Sequence, residues 1–163
     1  MHSRSPEFLN VLTAAAFAAF LVSAPSHAEP EVEITANGCA AKFDTAQRMD
    51  MESFRDYDAR TFRAVHHSDA VTIFASAHVF YGIDDIMAAL ASHFENREAV
   101  WTWTELYRVV DGCKSAYILY DATYDIPSVG FHQRTLTGVT YTYQRGRWLA
   151  VADQNTYLDA PTQ

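Results

Sequence analysis

The chain has 163 residues and a formal net charge of −8, from 12 Lys and Arg against 20 Asp and Glu. With 49% hydrophobic and 13% aromatic residues it is too apolar to stay disordered, and one compact domain is the default at this length. The acidic balance, without a basic run anywhere in the sequence, argues against a nucleic-acid partner and against attraction to anionic lipid.

Residues 1–28 read as a signal peptide. His2 and Arg4 open it, an apolar run covers 8–22, and Ser26-His27-Ala28 puts small residues at the −3 and −1 positions of a cleavage site. The run is shorter than the roughly 20 residues of a membrane span. Export to the periplasm or beyond is therefore expected, with no stable membrane insertion after cleavage; a retained anchor is the alternative. Residues 29–39 read as an extended acidic leader. In an oxidising compartment Cys39 and Cys113 are first read as a disulfide, with two free buried thiols as the alternative.

From 40 to 57 there is no Gly or Pro, and Phe43, Gln47, Asp50, Phe54 and Tyr57 recur at helical spacing on one face. Asp58 stands as an N-cap for a short second helix holding Thr61, Phe62, Val65 and His66. Residues 69–75 and 77–81 read as short strands, the second ended by Gly82. Ile83, Ile86, Met87, Leu90 and Phe94 make the apolar face of a third helix over 83–94, with Asp84 and Asp85 suiting its first turn. Four long strands follow, over 100–110, 113–126, 131–143 and 147–157, with Asp111-Gly112 and Gln144-Arg145-Gly146 as turns. Residues 159–163 are a tail. Helices early and strands late imply an α+β fold, a strongly curved and mostly antiparallel sheet with three helices across one face, closing a conical pocket.

Alternation sorts the strand faces. Ala116, Ile118, Tyr120, Ala122 and Tyr124 form an apolar set suited to the concave side, with Asp121 and Asp125 outside. Thr135, Thr137, Val139, Tyr141 and Tyr143 share a face of the next strand. On the last strand Leu149, Val151, Asp153, Asn155 and Tyr157 share one face and Trp148 the other. Trp148, Trp101 and Trp103 are then expected on the sheet's outer side, where they could bury against a second copy as a homodimer.

Three segments carry a resemblance. Asp58-Ala-Arg-Thr-Phe-Arg-Ala-Val-His-His-Ser-Asp69-Ala-Val71 resembles the helix-to-strand junction of the nuclear transport factor 2-like superfamily. Phe80-Tyr-Gly82-Ile-Asp-Asp-Ile86 resembles its glycine before the third helix, and Tyr141-Thr-Tyr-Gln-Arg-Gly146-Arg-Trp148-Leu-Ala-Val151 its final hairpin. That superfamily includes SnoaL-like polyketide cyclases, steroid delta-isomerases and kinase association domains. The likeness covers about residues 40–158 and implies a cone-shaped fold with a deep pocket. The functional residues of the steroid isomerases do not carry over. Their tyrosine falls on Asp50, their general base on Phe74, and their second acid near Gly138 or Val139. Without ionisable groups at the last two places, steroid isomerisation is excluded. The basic residue and histidines of the association domains fall on Val139, Ala152 and Gln154.

Asp50 and Asp153 remain as the candidate catalytic pair. Both lie on pocket-facing stripes, and two acids in different environments can divide acid and base roles. The alternative is that each faces solvent. Phe54, Phe74, Tyr120 and Tyr124 are candidate ligand contacts, together with Val139, Tyr141 and Asn155. His66, His67, His78, His93 and His132 are scattered, so no metal site is expected. There is no Gly-rich phosphate loop and no Gly-x-Ser-x-Gly elbow, and no cofactor is expected. The leading functional expectation is an exported module binding a small apolar or carbonyl-bearing molecule. The runner-up is a cyclase, isomerase or dehydratase moving protons with Asp50 and Asp153 and using Tyr120 or Tyr124 as a donor. A non-catalytic dimerisation domain is the third.

Overall fold

The computed structural model describes residues 36–159. The signal peptide expected over 1–28, residues 29–35 of the leader and residues 160–163 of the tail lie outside the described residues. Helix α1 (Ala36–Arg55) starts before the predicted position and takes the end of the expected leader into its first turn. The reason is Cys39. It stands one turn before Phe43 and extends the buried stripe through Gln47 and Asp50. Tyr57, at φ 59°, turns the chain out of the helix. Asp58 then caps α2 (Ala59–Val65), accepting from the Thr61 backbone N–H at 3.0 Å and the Thr61 hydroxyl at 2.6 Å.

Strands β1 (His66–Ile73) and β2 (Val79–Tyr81) follow, then α3 (Ile83–Ala89) and α4 (Ala91–Asn96). The single helix predicted over 83–94 is broken at Leu90, whose ψ of 5° is not helical. The break re-aims the last turn, so that the adjacent residues His93 and Phe94 are both buried. The long strands are β3 (Val100–Asp111), β4 (Ser115–Ile126), β5 (Phe131–Gln144) and β6 (Arg147–Tyr157). Gly112 (φ 53°) begins a turn that holds Cys113 outside both strands, where it forms a disulfide with Cys39. At the next hairpin Arg145 and Gly146 both have positive φ, 51° and 84°, the pairing a tight two-residue turn demands.

The six strands form one mixed sheet in the order β2-β1-β6-β5-β4-β3. Only β1 and β6 run parallel; every other neighbouring pair is antiparallel. Strands β6 and β3 are separated by two others, a span of about 14 Å in a flat sheet. Both pack against α1, so the sheet bends round that helix. The bend has visible devices. A register shift lies between Glu105 and Tyr107 on β3, and another between Thr140 and Tyr141 where β5 meets β6.

The second shift corrects the face predicted for Trp148. Thr140 pairs with Ala152 and Tyr141 with Ala150, so Val151 is the extra residue. Asp153 is in phase with the inside beyond the bulge, and Trp148 and Ala150 before it. Trp148 is 2% exposed, donates its indole N–H to the Cys39 carbonyl at 3.0 Å and meets the Phe43 ring edge-on. Trp101 and Trp103 also belong to the inner side, Trp101 against Phe54 and Trp103 under the Arg55 guanidinium. Trp148 is closed off from a second copy, and Trp101 and Trp103 are partly buried on the inner side.

The core has two parts. One gathers the disulfide end, with Phe43, Ile118, Tyr120, Tyr141 and Trp148. The other lies under α2, α3 and α4, with Phe62, Ala70, Ile83, Ile86 and Phe94. Between them the packing is not filled.

Candidate functional site

A cavity of about 380 Å³ opens where the two cores meet, within the range that holds small organic ligands. Met51 and Phe54 reach it from α1, Phe62 from α2, and Leu90 and His93 from the α3–α4 break. Thr72 and Phe74 line it from the β1 end, Trp101 and Tyr124 from β3 and β4, and Thr135, Thr137 and Val139 from β5. Asp50, Asp153 and Asn155 complete the wall. Phe54, Phe74, Tyr124, Val139 and Asn155 are thus brought together with both acids. Tyr120 and Tyr141 are not; at 0% and 1% exposed they lie in the core behind the wall. This corrects their assignment as ligand contacts. The aromatic set on the curved strands is longer than the cavity, and its disulfide end is packed solid.

Tyr141 supports the site from behind. Its hydroxyl donates to Asp50 Oδ2 at 2.6 Å. Burial, and then the negative charge of Asp50, push the Tyr141 hydroxyl far above its ordinary pKa, so it stays a donor. The other Asp50 oxygen, Oδ1, lies 3.7 Å from Nε2 of the buried His66. His66 Nδ1 is 2.7 Å from the Phe62 carbonyl, which can only accept, so that nitrogen carries a proton. Tyr120, close to the same acid, has a hydroxyl without a hydrogen-bond partner among the described residues, and burial raises its pKa.

Asp153 is set by a different network. Asn155 Nδ2 donates to Asp153 Oδ1 at 2.8 Å and to the Ile73 carbonyl at 3.1 Å. Thr137 donates to the Asn155 oxygen at 2.7 Å. The Thr137 proton is thereby committed, so Thr135, 3.0 Å away, donates to Thr137. Burial pushes the Asp153 carboxyl up to about 7, with the charge of Asp50 adding to the rise and the Asn155 N–H opposing it. Asp153 is therefore divided between acid and carboxylate near neutrality.

Among the cavity residues that sequence reading missed, His93 is the one whose ring makes hydrogen bonds on both nitrogens. It stacks on Phe54 with ring centroids 3.8 Å apart. Its Nε2 meets the Phe54 carbonyl at 2.7 Å and its Nδ1 the Tyr124 hydroxyl at 3.0 Å. The carbonyl accepts from Nε2–H, so in the neutral ring Nδ1 accepts from Tyr124. Burial lowers its pKa, favouring that neutral form. The signal in the sequence was its place beside Phe94 at a helix end, but only the break at Leu90 turns it inward. Among the described residues no group of three or more metal-ligating side chains converges.

The fold and site define an α+β protein with a bent sheet around an internal cavity that holds two carboxylates. Solved structures share this fold. A domain of unknown function with a cystatin-like fold from Nostoc punctiforme superposes with a TM-score of 0.64 at 14% identity, over 77% of this chain and 81% of that one. An NTF2-like protein with a cystatin-like fold from Novosphingobium aromaticivorans gives 0.64 at 14% identity, over 76% and 84%. A ketosteroid isomerase-like protein from Erwinia carotovora gives 0.60 at 14% identity, over 74% and 96%. No family model matches the sequence, and no curated protein is significantly similar to it. The fold is the NTF2-like, cystatin-like one that the sequence resemblance implies. Within it Phe74 and Val139, the places implied for the isomerase base and second acid, do line the cavity, and neither ionises. Gly138 points the other way, beneath the Tyr117 ring.

Proposed function

We propose that the chain is an exported binding protein for a small molecule with an apolar body and one carbonyl group. The observation that carries this reading is an open cavity, walled by Phe54, Phe62, Phe74, Trp101 and Val139, with Asp153 poised near neutrality on its surface. A carbonyl oxygen only accepts, so it bonds the protonated form of Asp153 and is repelled by the carboxylate. Affinity then falls as pH rises through about 7. A panel of small aromatic and alicyclic ketones, screened by thermal shift at about pH 5.5 and pH 8.5, tests this. Binders stabilise the chain at the lower pH and bind about tenfold more weakly at the higher one, a difference of about 1.4 kcal/mol. Asp153→Asn removes the pH dependence. A panel that leaves the melting temperature unmoved at both pH values overturns the reading.

The juxtaposition of Asp50 and Asp153 favours a second reading, proton transfer on a carbonyl compound in the manner of a cyclase, isomerase or dehydratase. Asp50, held by the Tyr141 hydroxyl, takes a proton from the carbon beside the carbonyl, and protonated Asp153 delivers one. Of the two candidate donors Tyr124 lines the cavity, as Tyr157 also does; Tyr120 is too deep to donate to a ligand oxygen. Under this reading a ketone that binds is also turned over, and Asp50→Asn abolishes turnover while binding survives. Full activity in that variant removes it.

A further inference from the structure

The sequence contains no basic run, yet the fold makes a basic cluster. Arg60 and Arg63 on α2, Arg145 in the β5–β6 turn and Arg147 at the start of β6 come together around one surface groove of about 600 Å³. Gln144 and His67 share its wall. All four arginines are exposed. The groove shares no lining residue with the cavity, and His66 is the side chain between them, lining the groove and facing Asp50.

What distinguishes these arginines is that they are gathered in one place with little pairing. Elsewhere Arg55, Arg108 and Arg134 are each paired to carboxylates, and Arg48 and Arg97, unpaired among the described residues, lie outside the groove. In the groove only Arg63 is paired, to Asp84. Arg60, Arg145 and Arg147 form no ion pair among the described residues. Two further acids stand beside groove residues, Asp58 by Arg60, already bound to Thr61, and Asp69 at 4.0 Å from His67 Nδ1. Gathering like charges in a concavity is unfavourable without a counter-charge, and here it happens in a chain of net charge −8. Packing does not demand it, because these side chains are exposed and bury nothing that a neutral residue could not cover. The positive φ of Arg145 and Gly146 holds the turn that carries Arg145 and leads into Arg147 in a tight, defined form.

We propose that this groove is an anion site for a phosphate-class oxyanion, either free or as the head of a larger molecule. Guanidinium forks match phosphate oxygens in pairs, and cations converging from two sides of one concavity suit a compact polyanion better than an extended acidic chain. The site needs no part of the cavity, so it stands or falls apart from the carbonyl-binding reading.

Titration calorimetry on the full chain at about 0.15 M salt tests it, with inorganic pyrophosphate probing the free anion and phenyl phosphate the head group. At least one of them binds saturably with a dissociation constant below about 1 mM. Tighter binding of pyrophosphate assigns the site to a free anion, and tighter binding of phenyl phosphate to a head group. Arg60→Gln, Arg145→Gln and Arg147→Gln each weaken it by about tenfold, the scale of one charge-assisted contact. Arg48→Gln, an exposed arginine of α1 outside the groove, leaves it unchanged. All four variants keep the parent melting temperature, which separates loss of the site from loss of the fold. Absence of saturable binding for both probes, or equal binding in the three groove variants, overturns the proposal.

Discussion

Asp153 holds its proton to about pH 7 in the folded chain, whereas an unfolded aspartate releases it near its ordinary value of 3.8. The native state thus binds more protons than the unfolded one between those two values. Stability falls as pH rises across that window, and the loss is complete above about 7. A shift of this size corresponds to about 4 kcal/mol at most. Asp153→Asn abolishes the penalty, so its melting temperature relative to the parent rises between pH 4 and pH 8, which differential scanning calorimetry at the two pH values measures. Tyr141→Phe acts in the other direction. It leaves a buried Asp50 oxygen without its donor and costs about 2 kcal/mol in urea unfolding, the scale of a lost hydrogen bond to a charged group. Asp50, Asp153 and Asn155 were legible as cavity residues because each lies in phase with an apolar stripe. Tyr120 and Tyr141 lie on equally good stripes, and periodicity does not say how far along a strand the packing closes.

At the level of elements, the disulfide ties the first turn of α1 to the turn after β3 across 74 positions. Closing a loop of that length contributes about 4 kcal/mol in the chain-entropy model. Cys39→Ser/Cys113→Ser loses an amount of this order, measured by denaturant unfolding, with the far core under α2 to α4 least affected. The bulges are the second lesson of this scale. One extra residue at Val151 reverses the face of everything before it on β6, so Trp148 enters the core although alternation from Asp153 puts it outside. The break at Leu90 does the same for His93. A bulge and a helix break each depend on what the segment packs against, and neither leaves a mark in the periodicity of the segment itself.

For the whole molecule, a homodimer remains our proposal, but on another surface than the tryptophans. Tyr107 and Val109 on β3 are 56% and 46% exposed and pair with Leu119 and Tyr117 on β4. Across β5 the same outer face continues to Gly138, where Tyr117 lies so close that an added Cβ would come 2.5 Å from its hydroxyl. This patch of rings and branched side chains is the part of the outer sheet suited to burial against a second copy. Sedimentation velocity should show a dimer that Val109→Asp converts to monomer with the melting temperature of the isolated fold little changed. A parent chain that sediments as a monomer at high concentration disposes of this surface.

The amino-acid order alone determined the α+β class, the helix-then-strand succession, the capping at Asp58 and the turn at Arg145-Gly146, because each is set by local spacing or by residue type; the cysteine pair it left open. The three-dimensional packing decided how far the bent sheet closes on α1, and hence that a cavity survives between two cores. It also decided that Trp148 and His93 turn inward and that arginines far apart in the chain meet in one groove. Those outcomes depend on strand register and helix direction, which are settled by contacts between distant segments and are invisible until the chain has closed on itself.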